Sequence, residues 1–203
     1  MFGECCFQTG DVKLTMGTGT FLDINTGNSP QQTIGGFYPL TGWKIGQEVV
    51  CLAERNAGDT GTAIKWAQQL DLSTDAAETE KMAKSLEDSA GKQLYEMMQK
   101  EIHIPITKIQ ADGGVCKNSF IMQMTSDLIN ENIDRPADID MSCLGAASLA
   151  GLAVGFWTDK EELKKLRQSE VVFKPQKKCQ EYETSLENWA KAVKRSMNWY
   201  NKT

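Results

Sequence analysis

The spacing of apolar residues along this chain changes once, and that change restricts the fold more than any other feature. In the first third, β-prone residues fall into short runs at 12–16, 20–25, 33–38 and 48–53. Gly-rich or Asn-Ser-Pro turns separate them, the pattern of strands joined by tight connections. The turn before the fourth run is read at Thr41-Gly42. From Gly61 onward the repeat lengthens to three and four. Residues 61–70 and 75–86 read as helices, the second opened by Ser73-Thr74-Asp75 as caps. The second half alternates: a helix over 92–101, a strand over 107–111, a helix over 118–130 and a strand over 132–136. A helix follows from Leu144, and a long closing one repeats Tyr182, Leu186, Trp189, Val193, Met197 and Tyr200 at steps of three and four. Antiparallel strands followed by alternating helices and strands define an α/β domain with a mixed sheet.

Charge and cysteine usage remove several classes of function. The net charge is −5 and the basic residues are scattered, which argues against a nucleic-acid partner. The lysine clusters at 160–167 and 191–195 have glutamates nearby and read as solvated helix faces. Six cysteines (Cys5, Cys6, Cys51, Cys116, Cys143 and Cys179) never form CxxC, and His103 is the only histidine. That argues against a zinc site and removes any triad needing a second histidine. Several of the cysteines sit in apolar runs, where a small buried thiol is the ordinary role. Met1-Phe2-Gly3-Glu4 lacks the basic start and apolar stretch of a secretory signal, so a reduced, cytoplasmic setting is expected.

One uncharged run, MSCLGAASLAGLAVGFW at 141–157, has Ala147, Gly151 and Gly155 at the spacing of a membrane helix interface. It lies at the lower limit of a membrane span, is rich in Ala and Gly, and stands alone. A helix buried on most sides, its glycines close against a sheet, is the expectation.

Three glycine turns stand where strands end or helices begin. Gly17-Thr18-Gly19 joins two β-runs; it is either a tight hairpin turn or a turn whose amides and Thr18 hydroxyl donate to phosphate oxygens. Ala111-Asp112-Gly113-Gly114 lies between a strand and the helix at Asn118, the place where open α/β sheets bind ligands. Asn118 is either a helix cap or a polar contact to a base or ribose. Gly58-Asp59-Thr60-Gly61 begins the helix that carries Lys65. No GxxxxGK[ST] occurs, and Leu22 stands where a GxGxxG would need its third glycine. Together the three turns favour a nucleotide cleft over three unrelated loops.

The segments MGTGTFLDINTG, GTAIKWAQQL, DGGVCKNSFIMQMTSDL, LGAASLAGLAVGFW and WAKAVKRSMNW resemble the C-terminal domain of the FGGY carbohydrate kinases. Within that family the likeness is to glycerol kinases, in the actin and hexokinase ATPase superfamily. The resemblance implies a ribonuclease H-like domain that holds ATP or ADP with Mg2+ against a second domain carrying glycerol or a similar polyol. It implies that Gly17, Thr18 and Gly19 face the phosphates and that Gly61 and Lys65 approach the nucleotide from the next helix. Gly114 and Asn118 match the adenosine-pocket pair. The family commonly has glutamine at the position of Lys65. Its base, an aspartate in a Gly-Asp-Gln-Gln segment, falls before the position of Met1, and Asp11 lies in the hairpin approach rather than at the base position. Family members also carry some dozens of extra residues near 89–92, so an internal deletion is expected there. Two functional readings follow. One is the ATP-binding part of a glycerol kinase. The other is a non-catalytic isoform or fragment that acts through association with a full-length kinase or another partner. A homodimer or pairing with a full-length kinase is the expected assembly.

Overall fold

The computed structural model describes residues 1–31, 36–58 and 89–196. The first third contributes four antiparallel strands: β1 (Asp11–Met16), β2 (Thr20–Gly27), β3 (Tyr38–Ile45) and β4 (Glu48–Asn56). The second part then alternates as α1 (Ser89–Glu101), β5 (Lys108–Asp112), α2 (Ser119–Ile129) and β6 (Ile133–Pro136). It continues with α3 (Met141–Ala153), α4 (Lys160–Leu166), β7 (Ser169–Phe173) and α5 (Glu183–Ser196). The strands form one sheet in the order β3-β4-β2-β1-β5-β6-β7. β1 pairs antiparallel with β2 and parallel with β5, so the sheet is mixed.

Alternation along β1 divides the molecule. Val12, Leu14 and Met16 face a core shared with Leu22, Ile24, Ala53, Ile109, Ala111 and Ile133, which α1 and α2 cover with Leu94, Met98, Ile121 and Met122. Burying each large apolar side chain of this kind contributes roughly 1.5–3 kcal/mol. The opposite face is polar. Lys13 sits across from Asp23 and Gln110, and Asp23 across from Glu54, so these side chains share one face. Lys13, Asp23 and Gln110 are nevertheless buried. The N-terminal segment helps cover them: the Cys6 thiol donates to Gln110 Oε1 at 2.9 Å and Lys108 donates to the Cys5 carbonyl at 2.9 Å.

Several expectations change on contact with the structure. Thr41-Gly42 is not a turn but part of β3, where the register slips between Thr41 and Trp43. Gly42 is needed there because a Cβ would lie 2.9 Å from Leu52 Cγ; the chain reverses instead at Gly46, whose φ is +58°. Of the strand expected at 33–38, residues 33–35 lie outside the described residues, as do the helices expected at 61–70 and 75–86. The position of the expected deletion, 89–92, falls within α1.

The helix expected to be buried on most sides, α3, buries only Met141, Gly145, Ser148 and Gly151. Its glycine side packs closely on the N-terminal segment, where a Cβ on Gly3 would lie 1.9 Å from the Met141 carbonyl oxygen, while Leu149 and Leu152 pack with Trp43, Val50 and Leu52 of the sheet. Beyond its end Val154 and Phe156 are 80% and 75% exposed. Among the described residues, no helix is long and apolar enough to cross a membrane.

The lysine-rich helix over 160–167 is solvated as expected except at its end. The helix stops at Leu166, and Arg167 takes an extended conformation that carries its side chain inward to Glu4 (2.5 Å) and Asp134 (2.7 Å). The 191–195 cluster keeps its solvated character, with Lys191, Lys194 and Arg195 exposed.

Candidate functional site

The parallel pairing of β1 with β5 brings two of the glycine turns together. Thr15 aligns with Asp112, so the strands end side by side and each releases a turn at the same edge of the sheet. From β1 the chain enters Gly17-Thr18-Gly19, closed by the Gly17 amide donating to the Gly19 carbonyl at 2.9 Å. Thr18 is exposed at the tip, and a Cβ on Gly17 would meet nothing within 4 Å. A Cβ on Gly19 would lie 3.0 Å from the Gly58 carbonyl oxygen, and the Thr20 amide donates to that same oxygen at 3.2 Å. The exit of β4 therefore reaches this edge too, and the third glycine turn starts here. Gly61 and Lys65 themselves lie outside the described residues.

From β5 the chain enters Gly113-Gly114. Gly113 has φ +98°, and a Cβ on it would lie 2.5 Å from the Met16 carbonyl oxygen. Only glycine fits both the conformation and the space, and this approach seats the second turn against the first. Asp112, one residue earlier, accepts a 2.6 Å hydrogen bond from the Thr15 hydroxyl and faces Lys13 Nζ at 3.4 Å. The carboxylate thus ties the strand ends together.

Gly114 is exposed, with open space beyond it, and begins a 3-10 turn, Gly114–Lys117. Cys116 is buried in that turn and donates to the Asp112 carbonyl at 2.9 Å; burial pushes its thiol well above the ordinary range. Asn118 then caps α2, its Oδ1 accepting from the Phe120 and Ile121 amides at 3.0 and 3.2 Å. The cap reading of Asn118 is realised.

Sequence reasoning missed Arg135. Its side chain, 8% exposed, lies beneath the Gly114–Lys117 turn and donates to the carbonyls of Cys116 (2.9 Å) and Lys117 (3.3 Å) and to Ser119 Oγ (3.2 Å). A single arginine before a proline at a strand end carries no signal of such reach. Beside it runs a cleft of about 490 Å³ lined by Lys117, Arg135, Asp138 and Glu170.

Asp11 lies at the far end of β1 from the turns. It is buried and accepts from the Gln8 amide (2.9 Å) and the Thr107 hydroxyl (2.5 Å), with Lys108 at 3.4 Å. These contacts fix the entry to β1, and the residue is remote from any chemistry at the glycine turns. Among the described residues, no three His, Cys, Asp or Glu side chains form a metal-binding group. All six cysteines are free thiols.

What this edge offers is two open glycine turns, a helix N-terminus behind one of them, and little side-chain bulk. Such backbone concavities receive anionic groups.

Residues 89–154, which include β5, the Gly113-Gly114 loop, α2 and α3, match the FGGY family of carbohydrate kinases, C-terminal domain. A human protein named glycerol kinase 5 is 76% identical over 100% of this chain, which covers 47% of that protein. The bovine protein of the same name is 70% identical over 98% of the chain, again 47% of its own length. The chain belongs to the FGGY family of carbohydrate kinases. It corresponds to a C-terminal part of a glycerol kinase-like member and spans about half the length of the curated relatives it matches. A crystal structure of Plasmodium falciparum glycerol kinase with ADP superposes with a TM-score of 0.80 at 24% identity, over 98% of this chain and 49% of that one. A xylulose kinase from Lactobacillus acidophilus superposes with a TM-score of 0.71 at 16% identity over 98% of the chain, so this FGGY chain shares its fold with both solved kinases.

Proposed function

We propose that this chain is the nucleotide-binding part of a glycerol kinase-like enzyme, taking ATP or ADP with Mg2+ at the paired glycine turns. The observation that carries the reading is the lock between them: Gly113 against Met16 and Asp112 against Thr15, with Gly17 and Gly114 both left open. The turn at Gly17-Thr18-Gly19 is then a phosphate turn. Gly114 and Asn118 lie on the adenosine side, and Gly61 and Lys65 belong to the same pocket by family motif. Mg2+ comes with the nucleotide, since this ion keeps waters and is held largely by substrate phosphates. In the complete enzyme the transfer runs from ATP to glycerol or a similar polyol. The reading places the chain in the cytoplasm.

A second reading concerns this chain alone. Phosphoryl transfer to an alcohol needs a base near the hydroxyl and a clamp on the phosphates. Asp112 is engaged by Thr15 and Lys13, and Asp11 is at the wrong end of its strand. The alignment with the human relative runs over 250 residues against the 203 of this chain, which supports an internal segment being absent here. On this reading the chain binds nucleotide without turning it over and acts as a homodimer or by pairing with a full-length kinase.

A thermal melt with and without Mg-ADP tests the first reading. Ligand at about one hundred times its dissociation constant adds about 2.7 kcal/mol to a folded site. An upward shift is expected, and Gly17→Val is expected to keep the cooperative melt while losing the shift. A wild-type transition indifferent to ADP contradicts the nucleotide reading. Glycerol-dependent ADP production by the chain alone contradicts the second reading.

A further inference from the structure

We propose that Arg135 is a positioning residue for the nucleotide; the role rests on the nucleotide reading above. The hydrogen bonds between β5 and β6 align only Ile109 with Ile133 and Gln110 with Asp134. On the β6 side, unlike the β1 side, strand pairing therefore stops short of the Gly113-Gly114 loop, and Arg135 spans the difference. The two N–H groups of one nitrogen, Nη1, are shared among Cys116 O, Lys117 O and Ser119 Oγ, three acceptors between Gly114 and the first turn of α2.

The guanidinium is itself fixed. Its Nε donates to Glu170 Oε2 at 2.9 Å on β7, and its Cζ lies over the Phe173 ring, 5.2 Å from the centroid. A 3-10 turn leaves carbonyls without partners at its end, and a planar fork with five donors can hold several at once. Arg135 thereby sets the height of the turn, and with it the direction of the Gly114 amide and the Asn118 cap. Small misplacements of such groups cost binding out of proportion to their size.

Of the two glycine turns, Arg135 hydrogen-bonds among the described residues to the adenosine-side one. The Gly17–Gly19 turn is held by β1, β2, the Gly58 carbonyl and the lock at Gly113 and Asp112, and the hydrogen bonds of Arg135 fall beyond that lock, on Cys116, Lys117 and Ser119. Loss of the fork therefore weakens adenosine recognition and spares phosphate recognition, whereas general damage to the fold weakens both.

The test is calorimetric titration of wild type and Arg135→Lys with Mg-ADP and with Mg-pyrophosphate, together with amide hydrogen exchange of the ligand-free proteins. Lysine keeps the charge but cannot reproduce the fork. The expected result is an ADP dissociation constant raised about tenfold, a pyrophosphate constant unchanged within about twofold, and faster exchange over residues 114–118. An unchanged ADP constant, or equal weakening toward both ligands, overturns the proposal. Wild type that fails to bind ADP overturns the nucleotide reading instead, and unchanged exchange at 114–118 in the lysine variant then overturns the positioning claim separately. Should Arg135→Lys not melt cooperatively, Ser119→Ala removes one acceptor: a selective ADP loss of about threefold supports the role, and none overturns it.

Discussion

An alanine at Gly113 has neither the conformation nor the space it needs, with φ at +98° and the Met16 carbonyl oxygen 2.5 Å from its Cβ. At Gly114, one residue on, an added Cβ meets nothing. Gly113→Ala is therefore expected to cost about 2 kcal/mol or more in urea denaturation, and Gly114→Ala to stay within about 0.5 kcal/mol of wild type. Equal costs would mean that the turn yields where the close approach says it cannot. Titration behaviour also belongs to single residues. Burial raises Glu4 to about 7 in spite of the Arg167 guanidinium beside it. Burial, then the hydrogen bond with Glu54, raises Asp23 to about 7. Both folded values lie above the unfolded ones, so the folded state binds more protons between about pH 4.5 and 7, and their contribution to stability falls as pH rises through that window. Asp127 has the opposite sign. Burial works against its charge, but donors from Gln176, Tyr182, Gln123 and Lys177 outweigh it and hold the carboxyl below its ordinary value. Its contribution is lost as pH falls below the ordinary carboxylate range. Stability should peak in weakly acidic solution, and denaturation of Asp23→Asn across pH 5 to 7.5 should show a flatter decline than wild type. A decline as steep as wild type would deny Asp23 its part.

The elements that matter most are β1 and β5, and their ends are joined by the Lys13–Asp112 pair, nearly out of solvent, and by the hydrogen bond from the half-buried Thr15 to Asp112. Asp112→Asn leaves the Lys13 ammonium without its partner and is expected to cost about 3 kcal/mol or more; adding Lys13→Met should recover much of that, because a buried unpaired charge is the costly state. A double variant no better than the single one would deny the pair its role. At this scale the legibility of the sequence can be judged. Gly17-Thr18-Gly19, Gly113-Gly114 and the Asn118 cap were readable because their chemistry is local: a small residue, a positive φ or a capping oxygen declares itself in place. The change in apolar spacing located the runs that form β1, β2 and β5 and implied a mixed sheet, but the parallel pairing of β1 with β5 joins segments distant in sequence and was not readable. β3 did not, since Thr41-Gly42 has turn composition while Gly42 is there to make room for Leu52. β7, Arg167 and Arg135 were missed for a related reason, as each acts through residues distant in sequence, such as Arg167 through Glu4. The exposure of α3 was misjudged because apolar composition does not state which side of a helix is covered.

For the whole molecule, the apolar end of α3 is the conspicuous surface, with Val154 and Phe156 largely exposed. Large exposed apolar groups close together promote association. Sedimentation velocity over a concentration series should show the chain self-associating, and Phe156→Ser should weaken this; a variant that associates as strongly as wild type would move the contact elsewhere. On the nucleotide reading, one end of the sheet gathers both glycine turns into a single cleft. The direct measurement is amide hydrogen exchange with and without Mg-ADP, read at residues 17–20 and 113–119. Joint protection of both segments at the same ADP concentration is the predicted result; protection of one segment alone, or of neither, would contradict it.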